Sequence, residues 1–163
     1  MVCNPPDERK SLRKDTPMSL STSHLNTNTA DIPFDRHELG RRLAERLPEA
    51  IFCLLHGSAK DGVVRPGSDL DVAFYLKGPP TMAFFDIVEE VVARTAPGAR
   101  VDVGVLNRAE PVHAFESLGG DLLFCRDMDA YAAFFSLSCR RYEDAMASYR
   151  RQYRYRKEAN HAV

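Results

Sequence analysis

The chain has 163 residues, with 22 Lys and Arg against 23 Asp and Glu for a formal net charge of −1, and 44% of its residues are hydrophobic. That length suits a single domain able to bury about two-thirds of its unfolded surface, and it leaves no room for a second catalytic domain. Charges of both signs are interspersed, which argues against the broad basic footprint of nonspecific nucleic-acid binding, and no apolar run nears the roughly 18 residues of a membrane span.

Residues 1 to about 30 are rich in Ser, Thr, Asn, Pro and charge, with too few apolar side chains to offset the entropy of ordering, so this segment is expected to be disordered. Met18 is an alternative candidate for the start, with the question of whether residues 1–17 belong to the native protein left open. A folded domain is expected over 31–157. Asp35 with Glu38 has the spacing of a capping box, and Leu39, Leu43 and Leu47 then recur at helical spacing until Pro48. Ile51 to Leu55 is a continuous apolar run of strand length. Gly57-Ser58 follows as a tight turn, with Ser58 placed to cap a short helical turn whose free N–H groups would attract an anion such as the β- and γ-phosphates of a nucleotide. Lys60 would add a point charge there. Gly62 to Ser68 reads as a loop returning the chain, with Ser68 helping to cap the site.

From Asp69 the pattern changes to strict alternation. Leu70, Val72, Phe74 and Leu76 face one way and Asp69, Asp71, Ala73 and Tyr75 the other. Pro79-Pro80 is expected to open a helix with a stripe of Met82, Phe85, Val88 and Val92, ending near Pro97-Gly98. Arg100 to Leu106 reads as a strand with Val101, Val103 and Val105 inward and Asp102 outward. Asn107 with Glu110 suggests another helix start, Gly119-Gly120 its end, and Leu122 to Cys125 a short strand. A long amphipathic helix is expected over 128–157, carrying Tyr131, Phe134, Phe135, Cys139, Tyr142, Met146, Tyr149 and Tyr153 at three- and four-residue steps. Its distal end, with Arg150, Arg151, Arg154, Arg156 and Lys157 among three tyrosines, reads equally as a solvated tail or as an interface. The order of elements gives an α/β fold, a mixed β-sheet flanked by helices. Cys3, Cys53, Cys125 and Cys139 show no zinc-like spacing and are expected to be reduced thiols of a cytoplasmic protein.

Asp69 and Asp71 share a strand face with Cα atoms roughly 6 to 7 Å apart, and Asp102 has the same setting on a later strand. Three crowded carboxylates repel unless a cation neutralises them. Mg²⁺ suits such a site, since it takes oxygen ligands and is usually held by one or two carboxylates plus substrate phosphates; two ions would stabilise both ends of an in-line displacement.

Gly57, Ser58, Asp69, Asp71 and Asp102, within LHGSAKDGVVRPGSDLDVAFYL and VDVGVLNRAEP, resemble the signature of the nucleotidyltransferase superfamily that includes DNA polymerase beta. The wording and short length are similar in particular to the minimal nucleotidyltransferase (MNT, MntA-like) antitoxins encoded beside HEPN-domain toxins. This resemblance covers about residues 35 to 150. It implies a polymerase beta-like fold and transfer of AMP from Mg·ATP to a tyrosine of a HEPN ribonuclease, in a hetero-oligomer with that toxin. It further implies that Asp69 and Asp71 hold metal ions, that Asp102 completes the site and accepts the hydroxyl proton, and that Gly57 and Ser58 hold the triphosphate. His56 stands where some relatives carry Arg. Two other readings remain open: an antitoxin that neutralises by contact alone, and a nucleotidyltransferase acting on a small molecule such as an antibiotic. The spacing of Arg156 and His161 matches a HEPN ribonuclease motif and is taken as coincidence, since no helical bundle surrounds it.

Overall fold

The computed structural model describes residues 29–161. The expectation for a disordered leader, the candidate start at Met18 and the state of Cys3 fall outside the described residues, apart from residues 29 and 30, which form no helix or strand. The elements run β1 (Ile32–Pro33), α1 (Arg36–Arg46), β2 (Ala50–His56), a 3₁₀ turn at Gly57–Ala59, β3 (Val63–Val64), β4 (Leu70–Leu76), α2 (Met82–Thr95), β5 (Val101–Val105), a 3₁₀ turn at Leu106–Arg108, α3 (Pro111–Ser117), β6 (Asp121–Cys125) and α4 (Met128–His161).

The main sheet has the order β5-β4-β2-β6. β2 pairs antiparallel with β4 and β6, while β4 and β5 run parallel. A parallel pair needs a crossover, and α2 supplies it. The expected mixed α/β sheet with a long final helix is therefore present. β2 is apolar from Ala50 to Leu55 because both of its faces are covered there. Cys53 and Leu55 join Leu70, Val72, Phe74 and Leu76 of β4 in a core completed by Leu39 and Leu43 of α1 and Phe84, Val88 and Val92 of α2. Phe52 and Leu54 point to the opposite face, where Ala73, Tyr75 and Leu106 meet Tyr131 and Phe134 of α4. Phe52 anchors this second layer, stacked on Tyr75 and edge-on to Tyr131, with ring centroids 5.1 Å apart in each case.

Local details depart from expectation. Asp35 caps α1 by accepting from the amides of His37 and Glu38 at 2.8 and 3.1 Å, but the reciprocal half of the capping box is absent. The Glu38 carboxylate instead takes charge-assisted bonds from Arg41 and Arg42, which are stronger than a bond to a neutral amide. α2 starts after Thr81, whose hydroxyl accepts from Phe84 N, so Pro79-Pro80 lies ahead of the helix. Its buried stripe is Phe84, Val88, Val91 and Val92, and Met82 is 76% exposed. The edge-on contact of Phe84 with Phe74, 5.1 Å between centroids, sets that phase. Gly62 to Ser68 is not wholly loop, since β3 pairs antiparallel with β1 and buries Val64.

Asn107 starts no helix. Its amide clamps the end of β4, with Oδ1 accepting from Leu76 N at 2.9 Å and Nδ2 donating to Leu76 O at 2.8 Å. α3 begins instead at Pro111, whose missing N–H suits a first helical position. α4 is 34 residues long; Tyr142 stacks on Phe115 of α3 at 4.1 Å, whereas Tyr149, Tyr153 and Tyr155 are exposed. Cys53, Cys125 and Cys139 are free thiols.

Replacing Asn107 with Ala removes both bonds to Leu76 and is expected to lower stability by about 1–2 kcal/mol. In urea unfolding the midpoint falls while the slope stays constant; an unchanged midpoint would show the clamp to be dispensable.

Candidate active site

Burial of Leu70, Val72, Phe74 and Leu76 turns Asp71, and Asp69 just before the strand, toward the other face. The parallel pairing with β5 then sets Asp71 directly beside Asp102, about 4.8 Å away at the usual strand spacing. The three predicted carboxylates are thus carried at the same end of adjacent strands. Arg100 Nε lies 4.0 Å from Asp69 Oδ1 at the rim.

Gly57 joins this group from β2. It has φ +70°, and a Cβ there would fall 1.9 Å from Asp71 Oδ2, so both the backbone conformation and the carboxylate beside it require glycine. The Gly57-Ser58 turn and the paired acid are therefore in contact. Ser58 does not cap the turn; that position belongs to His56, which makes no side-chain cap bond, and Ser58 lies inside the 3₁₀ segment.

Other polar groups fix the turn from outside. Arg65 donates to Ser58 O at 2.9 Å and also pairs with Asp61. Arg36 donates to Lys60 O and Asp121 Oδ2, each at 2.6 Å. Lys60, expected to face phosphate, sends Nζ to Gly119 O at 3.0 Å, and the Ser68 hydroxyl donates to Arg65 O at 2.8 Å. These side chains brace the loop in the described structure.

Sequence reasoning did not assign a role to two imidazoles at the site. His56 pairs with Asp71 across β2 and β4, and its ring lies 6.0 Å from that of His113 on α3. His113 has no local signal, since it reaches the site through a helix placed by tertiary packing. Burial lowers the His56 pKa from its ordinary value, against the pull of Asp71. The Asp71 carboxyl is raised above its usual range, first by burial and then by Asp102 and Asp69, with His56 opposing.

Among the described residues no three Asp, Glu, His or Cys side chains converge as a complete metal cage. Mg²⁺ does not need one, because it completes its shell with water and substrate phosphates. An all-oxygen donor set, with one carboxyl raised above its usual range first by burial and then by the neighbouring acids, fits such a cation.

Residues 41–129 match the family described as Polymerase beta, Nucleotidyltransferase, and the chain belongs to it. No curated protein matches the chain. Its fold is similar to that of a chain in an MntA toxin–antitoxin complex bearing two Asp-to-Glu substitutions (TM-score 0.60, 16% identity, covering 70% of this chain and 91% of that one). It is also similar to a chain in a toxin–antitoxin complex with AMP-PNP (TM-score 0.59, 18% identity, 70% and 91% covered). A third similar chain comes from the complex of tri-AMPylated Shewanella oneidensis HEPN toxin with MNT antitoxin (TM-score 0.55, 16% identity, 69% and 87% covered). At identities this low the likeness is one of fold, in keeping with the polymerase beta-like family match.

A raised carboxyl pKa stabilises the folded state below the unfolded value of 3.8, and this contribution is lost as pH rises through the folded pKa. Asp71→Asn is therefore expected to stabilise the ligand-free protein at pH 7, measured by urea unfolding with a chelator present, with the gain shrinking toward pH 3. A variant less stable than the parent at pH 7 would contradict the assignment of Asp71 as a strained acid.

Proposed function

We propose that this chain is an antitoxin that transfers AMP from Mg·ATP to a tyrosine hydroxyl of a cognate HEPN toxin in the cytoplasm, with residues 31–157 as the transferase unit. The observation that carries this reading is the in-register pairing of Asp71 with Asp102, with Gly57 packed on the Asp71 carboxylate. Family membership supplies the reaction class, and the fold's likeness to toxin–antitoxin complexes, one with AMP-PNP and one with an AMPylated toxin, supports the acceptor.

Asp69, Asp71 and Asp102 would hold two Mg²⁺ ions together with the nucleotide. Bound Mg²⁺ would supply neutralisation of phosphate charge. Asp102, the most open of the three, would accept the proton as the tyrosine oxygen attacks the α-phosphorus. A tyrosyl O–P bond forms, the bond to the β-phosphate's bridging oxygen breaks, and pyrophosphate leaves. Gly57 and Ser58 would present backbone N–H groups to the departing phosphates. Lys60 has three ammonium donors, so one bond to Gly119 leaves others for phosphate, and Ser68 would close the loop over the site.

Incubating the chain with labelled ATP, Mg²⁺ and its cognate HEPN toxin, sought as the product of the neighbouring gene, is expected to label that toxin. Asp69→Asn with Asp71→Asn should reduce labelling by at least about 100-fold, the loss typical of removing a preorganised charge-stabilising group. Persistent labelling would refute the site. Protection of cells by the double variant would instead point to neutralisation by contact, which the exposed Tyr149, Tyr153 and Tyr155 of α4 favour.

A further inference from the structure

We propose that His113 is a positioning residue of the transfer site, holding His56 and through it the Gly57 turn against Asp71, and that Gly104 lacks a side chain to leave room for this imidazole. The proposal rests on the transferase reading for its kinetic consequences, though not for its structural ones.

Gly104 is two residues beyond Asp102 on β5 and therefore on the same face, and it pairs with Ala73 just as Asp102 pairs with Asp71. Its backbone does not call for glycine, because it is not among the glycines with positive φ. Glycine inside a strand is destabilising, and it commonly marks the close approach of another group. Here a Cβ would sit 3.2 Å from His113 Nε2, with Ala73 Cβ and Val72 O at ordinary distances of 3.6 and 3.7 Å. The imidazole is the one neighbour that the missing side chain accommodates.

From Gly104 a chain of contacts leads back to the phosphate turn. The His113 ring meets the His56 ring 6.0 Å away at 77°, His56 pairs with Asp71, and the next residue is Gly57, packed on the Asp71 carboxylate. α3 is anchored to α4 by the stacking of Phe115 on Tyr142, and within it the buried Ser117 donates its hydroxyl to His113 O, one turn back, at 2.8 Å. His113 itself is exposed and only in part covered by Gly104 and His56, so its ring is placed by α3 and by these two contacts. His56 thus lies between Asp71, its partner across the sheet, and the His113 ring.

The test compares His113→Ala, His113→Gln, Gly104→Ala and the Gly104→Ala, His113→Ala double variant with the parent. One readout is kcat and KM for ATP in toxin labelling; the other is the position of the Gly57 and Ser58 amide resonances in the nucleotide-free protein. His113→Ala is expected to lower kcat about 10-fold, as losing the support of a site residue commonly does, and to displace both amide resonances at an unchanged thermal midpoint. His113→Gln, whose amide reaches the place of Nε2, should recover most of the rate. Gly104→Ala should shift the imidazole by a few tenths of an ångström, cost roughly two- to threefold, and cost nothing further once His113 is Ala. Unmoved Gly57 and Ser58 amides in His113→Ala would overturn the proposal, as would a Gly104→Ala penalty that is the same with and without His113. If the parent labels no toxin, the transferase reading fails by itself, and the amide shifts still decide whether His113 positions the turn.

Discussion

Leu70, Val72, Phe74 and Leu76 are buried together against α1 and α2, and because side chains alternate along a strand, that burial alone sends Asp69 and Asp71 to the other face. A slip by one residue would turn carboxylates into the core and force larger side chains into the layer now filled by Ala73 and Tyr75, so the register of β4 is held by the whole core. Everything at the site is measured from this strand. β5 brings Asp102 beside Asp71, β2 brings His56 opposite it, and the turn after β2 brings Gly57 onto its carboxylate.

The same arrangement works against stability where it serves chemistry. Asp71 is partly withdrawn from water and sits near two other acids, which is unfavourable for its charged form. Gly57 leaves room for its carboxylate, and Gly104, beside His113, forgoes a side chain inside a strand, where glycine is usually destabilising. The surrounding structure offsets these local penalties: a two-sided sheet, a second aromatic layer around Phe52, and the Asn107 clamp that ends β4. The site is an unfavourable patch held on a firm support.

α4 divides into stretches with different surroundings. Tyr131 and Phe134 complete the second layer of the core, and Tyr142 stacks on Phe115 and so steadies α3 with its His113. Beyond these the helix continues with exposed Tyr149, Tyr153 and Tyr155 interspersed with cationic side chains. The two readings of its distal end, solvated tail or interface, thus concern a stretch that the core does not use. Its proximal part reaches the acidic face both through α3 and through Phe134, which packs on Tyr75 of β4.

Sequence by itself determined the elements whose signal is local. The period-two pattern of β4, the continuous apolar run of β2, the Asp35 cap and the acids at Asp69, Asp71 and Asp102 were legible, because alternation and spacing encode face and reach directly. Elements of two residues such as β1 and β3 carry no period, and the choice between Met82 and Phe84 for the buried stripe of α2 depended on which ring meets Phe74. Tertiary structure alone decided that Asn107 closes a strand instead of opening a helix, that Lys60 reaches Gly119, and that His113 stands over Gly104. Each of those contacts joins residues far apart in the chain, and no local rule of periodicity or capping records which distant partner a polar side chain will meet.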